Sequence, residues 1–359
     1  HHMQHPQHRI STEIVSHLRR YAADAEKNAC LREDQLHVIY QQKWFKMFVP
    51  VHLGGLGLSL PDVLTLEEAL SWTDGSVGWV VTLCSGAGWF VGFLDPRICK
   101  RFVHNEKFCL AGSGAHGGVA NSLSDGYEVN GSWKYASGAR HATGFTANCL
   151  LQSGGAALLD KTGSPKTSAF IFEPSHVQVK ESWNAMGMVA TGSHSFEVNK
   201  ARVSFQHAFV IDPNNAQLTD TVYQYPFLQL AETTLAATIS GMAVRFIDLA
   251  EVIFESNADE KSERHLSVAV AARRMLDDAR DLFYEKAQSS WDMLISQNKI
   301  SADVLSDVSE ASHSLVRHAR AQVNVLYPLC GLRAAMRDNE INRVWRDFQT
   351  ASQHALFVR

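Results

Sequence analysis

Apolar and polar positions alternate along this chain with two different periods, and the period changes twice. Up to about residue 106 the spacing is helical. Ile10, Ile14, Val15, Leu18 and Tyr21 fall on one face, with Ser11 placed to cap the first turn. Phe48-Val49-Pro50-Val51-His52-Leu53-Gly54-Gly55-Leu56-Gly57 is a glycine-rich turn. It lacks the Lys-Ser/Thr of a phosphate loop and the strand-to-helix setting of a dinucleotide fingerprint. Ser59-Leu60-Pro61 opens the next helix with a cap and a proline, and the run passes through Leu64, Leu66, Ala69 and Leu70 to Trp72. Asp74 or Ser76 caps a further helix over 77–94, and Asp95-Pro96 starts a short one.

From about Cys109 to Ile211 the pattern becomes strand-like. Turn residues recur every eight to twelve positions, among them Gly117-Gly118, Asp125-Gly126, Asn130-Gly131, Gly154-Gly155 and Glu173-Pro174, and enclose short β-rich runs such as 168–172 and 176–179. This spacing predicts a β-barrel or sandwich. Asp212-Pro213-Asn214-Asn215 is a loop, and beyond it four long periodic segments, 227–254, 267–298, 301–326 and 339–357, predict an antiparallel four-helix bundle. The expected architecture is α+β multidomain: an N-terminal α-helical domain over 4–108, a middle β-domain over 109–212 and a C-terminal four-helix bundle over 213–359.

Composition narrows the function classes. With 359 residues, 45% of them hydrophobic, the chain can bury more than one core. A net charge of −4 with dispersed Lys and Arg offers no field for nucleic acid and no polybasic run for a membrane surface. Cys30, Cys84, Cys99, Cys109, Cys149 and Cys330 form no CxxC pair and sit among apolar neighbours, as reduced thiols of a cytoplasmic protein would. The apolar stretch 77–94 is too interrupted by glycine, serine and tryptophan for a membrane span, no signal peptide is read, and His1-His2-Met3 reads as a tag remnant before a start methionine. Seventeen histidines raise the question of metal, yet none falls in an HxH, HExxH or Cys/His cluster. His313 and His318, five apart on an expected helix, are not read as ligands.

Helices, then a β-domain, then a four-helix bundle is the order of the acyl-CoA dehydrogenase superfamily, and several stretches resemble its motifs. Phe48-Val49-Pro50 with Gly54-Gly55-Leu56-Gly57 resembles the early "P..xGGxG" turn. Residues 125–138, with Asn130-Gly131-Ser132-Trp133-Lys134-Tyr135-Ala136-Ser137-Gly138, resemble "GGYxVNGxWxxxSG". Trp183-Asn184-Ala185-Met186-Gly187-Met188-Val189-Ala190-Thr191-Gly192-Ser193 resembles "WxxxGMxxTGS". In the dehydrogenases the C-terminal Arg-Asp leads into a Tyr-Glu-Gly-Thr stretch whose glutamate removes the substrate α-proton. Here Arg346-Asp347 is followed instead by His354. That form resembles the oxygenase components of two-component flavin monooxygenases, of the p-hydroxyphenylacetate hydroxylase, secosteroid hydroxylase and dibenzothiophene monooxygenase type.

The resemblance implies a hydroxylase that takes reduced FMN or FAD from a separate flavin reductase, uses O2 through a C4a-hydroperoxyflavin, and oxygenates a small aromatic or polycyclic substrate. It implies a homo-oligomer, with a tetramer expected. Catalytic roles then fall to His354, for acid–base work near neutral pH, and to Ser137, beside the flavin ring. Trp133, Tyr135, Ala136, Ser137, Thr191, Ser193 and Arg346 are the expected flavin contacts. Trp89, with Phe90, and the loop residues His116 and His141 are candidates for the substrate side, and Ser113 lies in the same loop as His116.

Two further readings compete. Glu232 begins the first bundle helix near where some acyl-CoA dehydrogenases carry their base, so an FAD-dependent acyl-CoA dehydrogenase is the alternative. Against it, the Arg-Phe-Gly segment that reaches a neighbour's FAD is not found, and Arg274 and Arg280 lack that context. The other reading is a non-catalytic scaffold that keeps the fold.

Overall fold

The computed structural model describes residues 3–257 and 259–358. His1 and His2, read as part of a tag remnant, lie outside them. The N-terminal part is helical: α1 (Thr12–Arg20), α2 (Ala22–Asn28), α3 (Glu33–Gln42), α4 (Leu60–Thr73), α5 (Gly75–Gly88) and α6 (Pro96–Val103). The expected caps are in place. Ser11 Oγ accepts the N–H of Ile14 and Ser59 Oγ that of Asp62, each at 3.3 Å. Asp74, not Ser76, caps α5 by accepting the Val77 N–H at 3.0 Å, so α5 starts at Gly75. It also ends earlier than the sequence predicts, giving way at Gly88 to a 3-10 turn over Trp89–Phe93. The apolar stretch Gly75–Phe93 is 83% buried inside the protein, as a core helix is.

The middle strands are β1 (Leu110–Gly112), β2 (Gly118–Ser122), β3 (Gly126–Ala136), β4 (Gly144–Ser153), β5 (Ala156–Ala157), β6 (Thr167–Phe172), β7 (Gln178–Lys180), β8 (His194–Ser204) and β9 (Ala208–Phe209). The expected barrel or sandwich is realised as one mixed sheet in the order β7-β8-β3-β2-β4-β6-β9, with β1 and β5 both pairing β4. β1 and β2 run parallel to β4, and the other pairs are antiparallel. Phe196 on β8 and Phe145 on β4 are three places apart in that order, roughly 14 Å in a flat sheet. Their ring centroids lie 5.1 Å apart, so the sheet curls over its own core.

The C-terminal helices are α7 (Phe227–Ser256), α8 (Glu260–Gln297), α9 (Ala302–Leu326) and α10 (Glu340–Ala351). Two boundaries differ from the sequence pattern. α8 begins seven residues before the expected 267, capped by Asp259, whose carboxylate accepts the Ser262 N–H at 3.0 Å. Its first turns are mostly polar and exposed, so no apolar period announces them. α10 stops at Ala351 rather than running to 357. Tight turns from Gln353 N–H to Thr350 C=O and from His354 N–H to Ala351 C=O end it, and Arg320 donates to the Ser352 carbonyl at 2.8 Å.

α7 is the central helix, packed on α4, α5, α8, α9 and α10. Its approach to α4 requires a glycine at 241: a Cβ there would lie 2.1 Å from the Glu68 carbonyl oxygen. Beside it a buried polar cluster joins three helices. Arg280 of α8 pairs with Glu68 of α4 at 2.7 Å, and Ser240 of α7 donates to the same carboxylate at 2.7 Å.

Candidate active site

A cavity of about 400 Å³ opens between α5, the β1–β4 edge and the first turns of α7. Thr82, Leu83, Gly86, Ala87 and Phe90 supply the α5 side, and Leu230, Ala231, Thr234 and Leu235 the α7 side. Gly112, Ser113, Gly114, Thr146 and Asn148 form the sheet side, and His354 with Leu356 closes one end. Gly86 and Gly114 hold the space open, because a Cβ built on either would meet nothing within 4 Å.

His354 reaches the cavity because α10 stops short. It sits not on a helix, as the periodicity predicted, but in the turn after α10, capping a 3-10 turn over Ala355–Phe357. Its Nδ1 accepts the Leu356 N–H at 3.2 Å, which puts the neutral ring's proton on Nε2. Burial pushes its pKa below the ordinary histidine value, so the ring is neutral near pH 7.

Behind His354 lies Trp79 of α5, its ring centroid 6.1 Å away. Trp79 opens a chain of hydroxyls that has one direction. Thr191 donates to the Met188 carbonyl at 2.7 Å, which uses its only proton. Ser193, 2.7 Å from Thr191, must therefore donate to it, and Ser137, 2.7 Å from Ser193, must donate in turn. The Trp79 indole N–H donates to Ser137 Oγ at 3.1 Å. Ser137 is thus left with one lone pair as an acceptor. The chain is anchored where Asp347 of α10 accepts the Met188 N–H at 2.7 Å. Asp347 is buried near Asp74, and desolvation, reinforced by that second carboxylate, lifts its pKa to about 8.

The structure therefore brings together Ser137, Thr191 and Ser193, and sets His354 next to them across Trp79. Other expected contacts lie elsewhere. Trp133 and Ala136 are buried in the sheet core, Trp133 stacked on Phe196 at 5.2 Å and donating to the Asn148 carbonyl. Tyr135 takes a positive φ of 65° at a bulge between β3 and β8, which turns its ring outward to 68% exposure. Arg346 makes a two-pronged pair with Glu26 at 2.9–3.0 Å and donates to the Met186 carbonyl, at the wall of a separate polar crevice.

On the expected substrate side, Trp89 is core, donating to the Val222 carbonyl, and its neighbour Phe90 lines the cavity instead. His116 is exposed, while Ser113 of the same loop is at the cavity. His141 stacks on Phe45 at 5.8 Å with its Nδ1 buried and without a hydrogen bond, and burial lowers its pKa to about 4.

Glu232, the alternative base, is not among the residues lining the cavity. It faces away from the cavity into the bundle, where His313 Nε2 lies 2.7 Å from one oxygen and Ser309 donates to the other at 2.7 Å. His318, considered with His313 as a metal pair, hydrogen-bonds the Ser314 carbonyl of its own helix. Arg280, without a flavin context in the sequence, is held by Glu68 of its own chain. Trp79 and Asn148 were missed. Trp79 lies in a mostly apolar stretch, and nothing in the sequence reveals that its N–H meets Ser137.

Fold and site together define the class, a protein of the acyl-CoA dehydrogenase fold. Residues 223–359 match the family model described as acyl-CoA dehydrogenase, C-terminal domain. Among curated proteins the chain is similar to indole-3-acetate monooxygenase of Pseudomonas putida, at 26% identity over 87% of this chain and 80% of that one. It is also similar to the flavin-dependent monooxygenase oxygenase subunit HsaA of Mycobacterium tuberculosis, at 24% identity over 95% of this chain and 89% of that one. The crystal structure of the M. tuberculosis HsaA monooxygenase superposes with a TM-score of 0.86 at 22% identity, covering 96% of this chain and 90% of that one. XiaF from Streptomyces, solved with FADH2 and glycerol, superposes at 0.85 with 17% identity, over 96% and 91%.

Proposed function

We propose that this protein is the oxygenase component of a two-component flavin-dependent monooxygenase, taking reduced FMN or FAD from a separate reductase and inserting one atom of O2 into a small aromatic or polycyclic substrate. One observation carries the choice over the acyl-CoA dehydrogenase alternative. The titratable side chain on the cavity is the neutral imidazole of His354, while the carboxylate of Glu232 is turned away and bound to His313. The relatives named above point the same way.

The residues present fit a flavin. The cavity of about 400 Å³ beside them is within the range that holds a small organic ligand. Its glycine-lined, apolar walls would take the substrate's flat ring, and the flavin would be held beside it by the Ser137–Ser193–Thr191 chain, where Ser137 offers an acceptor to a ring N–H of the reduced form. When bound, the reduced flavin supplies the two electrons that activate O2. The protein keeps water out with the walls from α5 and α7. Ser137, oriented by Ser193 and Thr191, presents its remaining lone pair, and His354 holds a proton at Nε2 for transfer to or from oxygen or substrate. The second oxygen atom leaves as water.

The same reading places three units at 4–108, 109–212 and 213–359, a homotetramer in solution and a cytoplasmic location. Buried, unpaired thiols at Cys84, Cys99, Cys109, Cys149 and Cys330 support a reducing compartment. Replacing His354 by alanine tests the assignment. It should release hydrogen peroxide in place of hydroxylated product, read by peroxide assay and chromatography. Full coupling in that variant would remove His354 from the chemistry.

A further inference from the structure

The cavity carries a restriction on what it accepts, one that rests on the oxygenase reading and goes beyond it. Among the described residues lining it, His354 alone is ionisable near neutral pH; there is no lysine, arginine, aspartate or glutamate. The carboxylates of Glu232 and Glu67 do not line the cavity. Glu232 is committed to His313 and Ser309, and Glu67, fully buried on α4, accepts from Ser85 at 3.3 Å behind α5. Of the hydroxyls on the helical walls, Thr234 is spent on the Leu230 carbonyl at 2.9 Å. Thr82 lies 2.7 Å from Thr238, itself a donor to the Thr234 carbonyl. The uncommitted polarity is concentrated on the sheet side. There Asn148 gives one amide hydrogen to the Gly114 carbonyl at 3.1 Å and keeps the rest of its amide, and Ser113 keeps its hydroxyl proton.

We infer that the substrate is an uncharged, flat aromatic molecule with a single hydroxyl or N–H edge that meets Ser113 and Asn148, and that aryl carboxylates are excluded. A carboxylate drawn into such a cavity would lose its hydration and gain no cation in return. A neutral phenol or indole loses little, because one donor or acceptor suffices and the rest of its surface meets Phe90, Leu83 and Leu235. The restriction separates this chain from the indole-3-acetate monooxygenases it is similar to, whose named substrate is a carboxylate.

The test uses two ligands with the same ring. 3-Methylindole and indole-3-acetate differ by the carboxylate alone, so binding of each to the protein loaded anaerobically with reduced flavin isolates the charge. Calorimetry should find 3-methylindole bound more tightly by more than about a hundredfold. Indole-3-acetate binding equally or more tightly would overturn the inference, and so would failure of both ligands to bind. The oxygenase reading is judged separately, on the same loaded protein without either ligand, by how long reduced flavin resists oxidation. Long resistance together with tight indole-3-acetate binding would leave the enzyme class standing and remove only the substrate class.

Discussion

At the scale of single residues, the site depends on which hydrogen each hydroxyl has to give. The direction imposed by the Met188 carbonyl makes Ser137 an acceptor, so Ser137→Ala should remove that acceptor while keeping the backbone turn. The expected result in rapid mixing is flavin oxidation at least about tenfold faster than in the parent, a loss of ~1.4 kcal/mol of barrier. On the proposed reading, His354 should set the pH behaviour of coupling. Burial lowers its pKa, so the neutral ring persists below the ordinary histidine value. Product yield per flavin should therefore start to fall only at a pH more acid than that at which an ordinary histidine protonates. A fall beginning above neutrality would contradict the environment described.

His141 makes a stability prediction of its own. Its folded pKa of about 4 lies below the unfolded value of 6.5, so between those values the unfolded chain binds more protons. Its stabilising contribution is complete above pH 6.5 and is lost as pH falls toward 4, by up to ~1.4 kcal/mol per pH unit. Urea melts across that window should show the slope, and His141→Phe, which keeps the stack on Phe45, should flatten it.

At the scale of elements, two contacts decide where the site residues sit. The α4–α7 crossing has no room for a side chain at Gly241, so Gly241→Ala should cost about 1–3 kcal/mol or more in denaturant unfolding. Glu232→Ala should cost about 1–3 kcal/mol by removing the carboxylate that Ser309 and His313 hydrogen-bond, yet the folded fraction should still make product. Abolished chemistry in a folded Glu232→Gln protein would revive the dehydrogenase alternative.

Helix caps were legible because Ser11, Ser59 and Asp74 are local signals. The end of α10 was not, because it is set by a tertiary bond from Arg320 on α9. The same limit explains the site. Ser137, Thr191 and Ser193 stood out through motif resemblance, and the structure places them in hydrogen-bond contact. Trp133, in the same motif as Ser137, and Trp89, a candidate pocket wall, are both buried in the core; an aromatic residue carries no mark in the sequence of which face it packs against.

At the scale of the whole molecule, the bundle leaves apolar side chains uncovered. Val270, Met275 and Leu282 on α8 are 58%, 49% and 43% exposed, and Val252 on α7 and Val325 on α9 add to them. A tetramer would cover such faces, as single chains seldom leave contiguous apolar area in water. Sedimentation should give about four times the 39.8 kDa chain mass, and charged replacements at Met275 and Leu282 together should lower it.

The central claim, that this fold shelters reduced flavin for oxygen chemistry, is met most directly by one rapid-mixing measurement. Protein loaded anaerobically with reduced FMN, and separately with reduced FAD, is mixed with oxygenated buffer while flavin absorbance is followed. The account predicts a distinct delay before oxidised flavin appears with at least one of the two, shortened in Ser137→Ala. Oxidation as fast as that of free reduced flavin with both cofactors would contradict it.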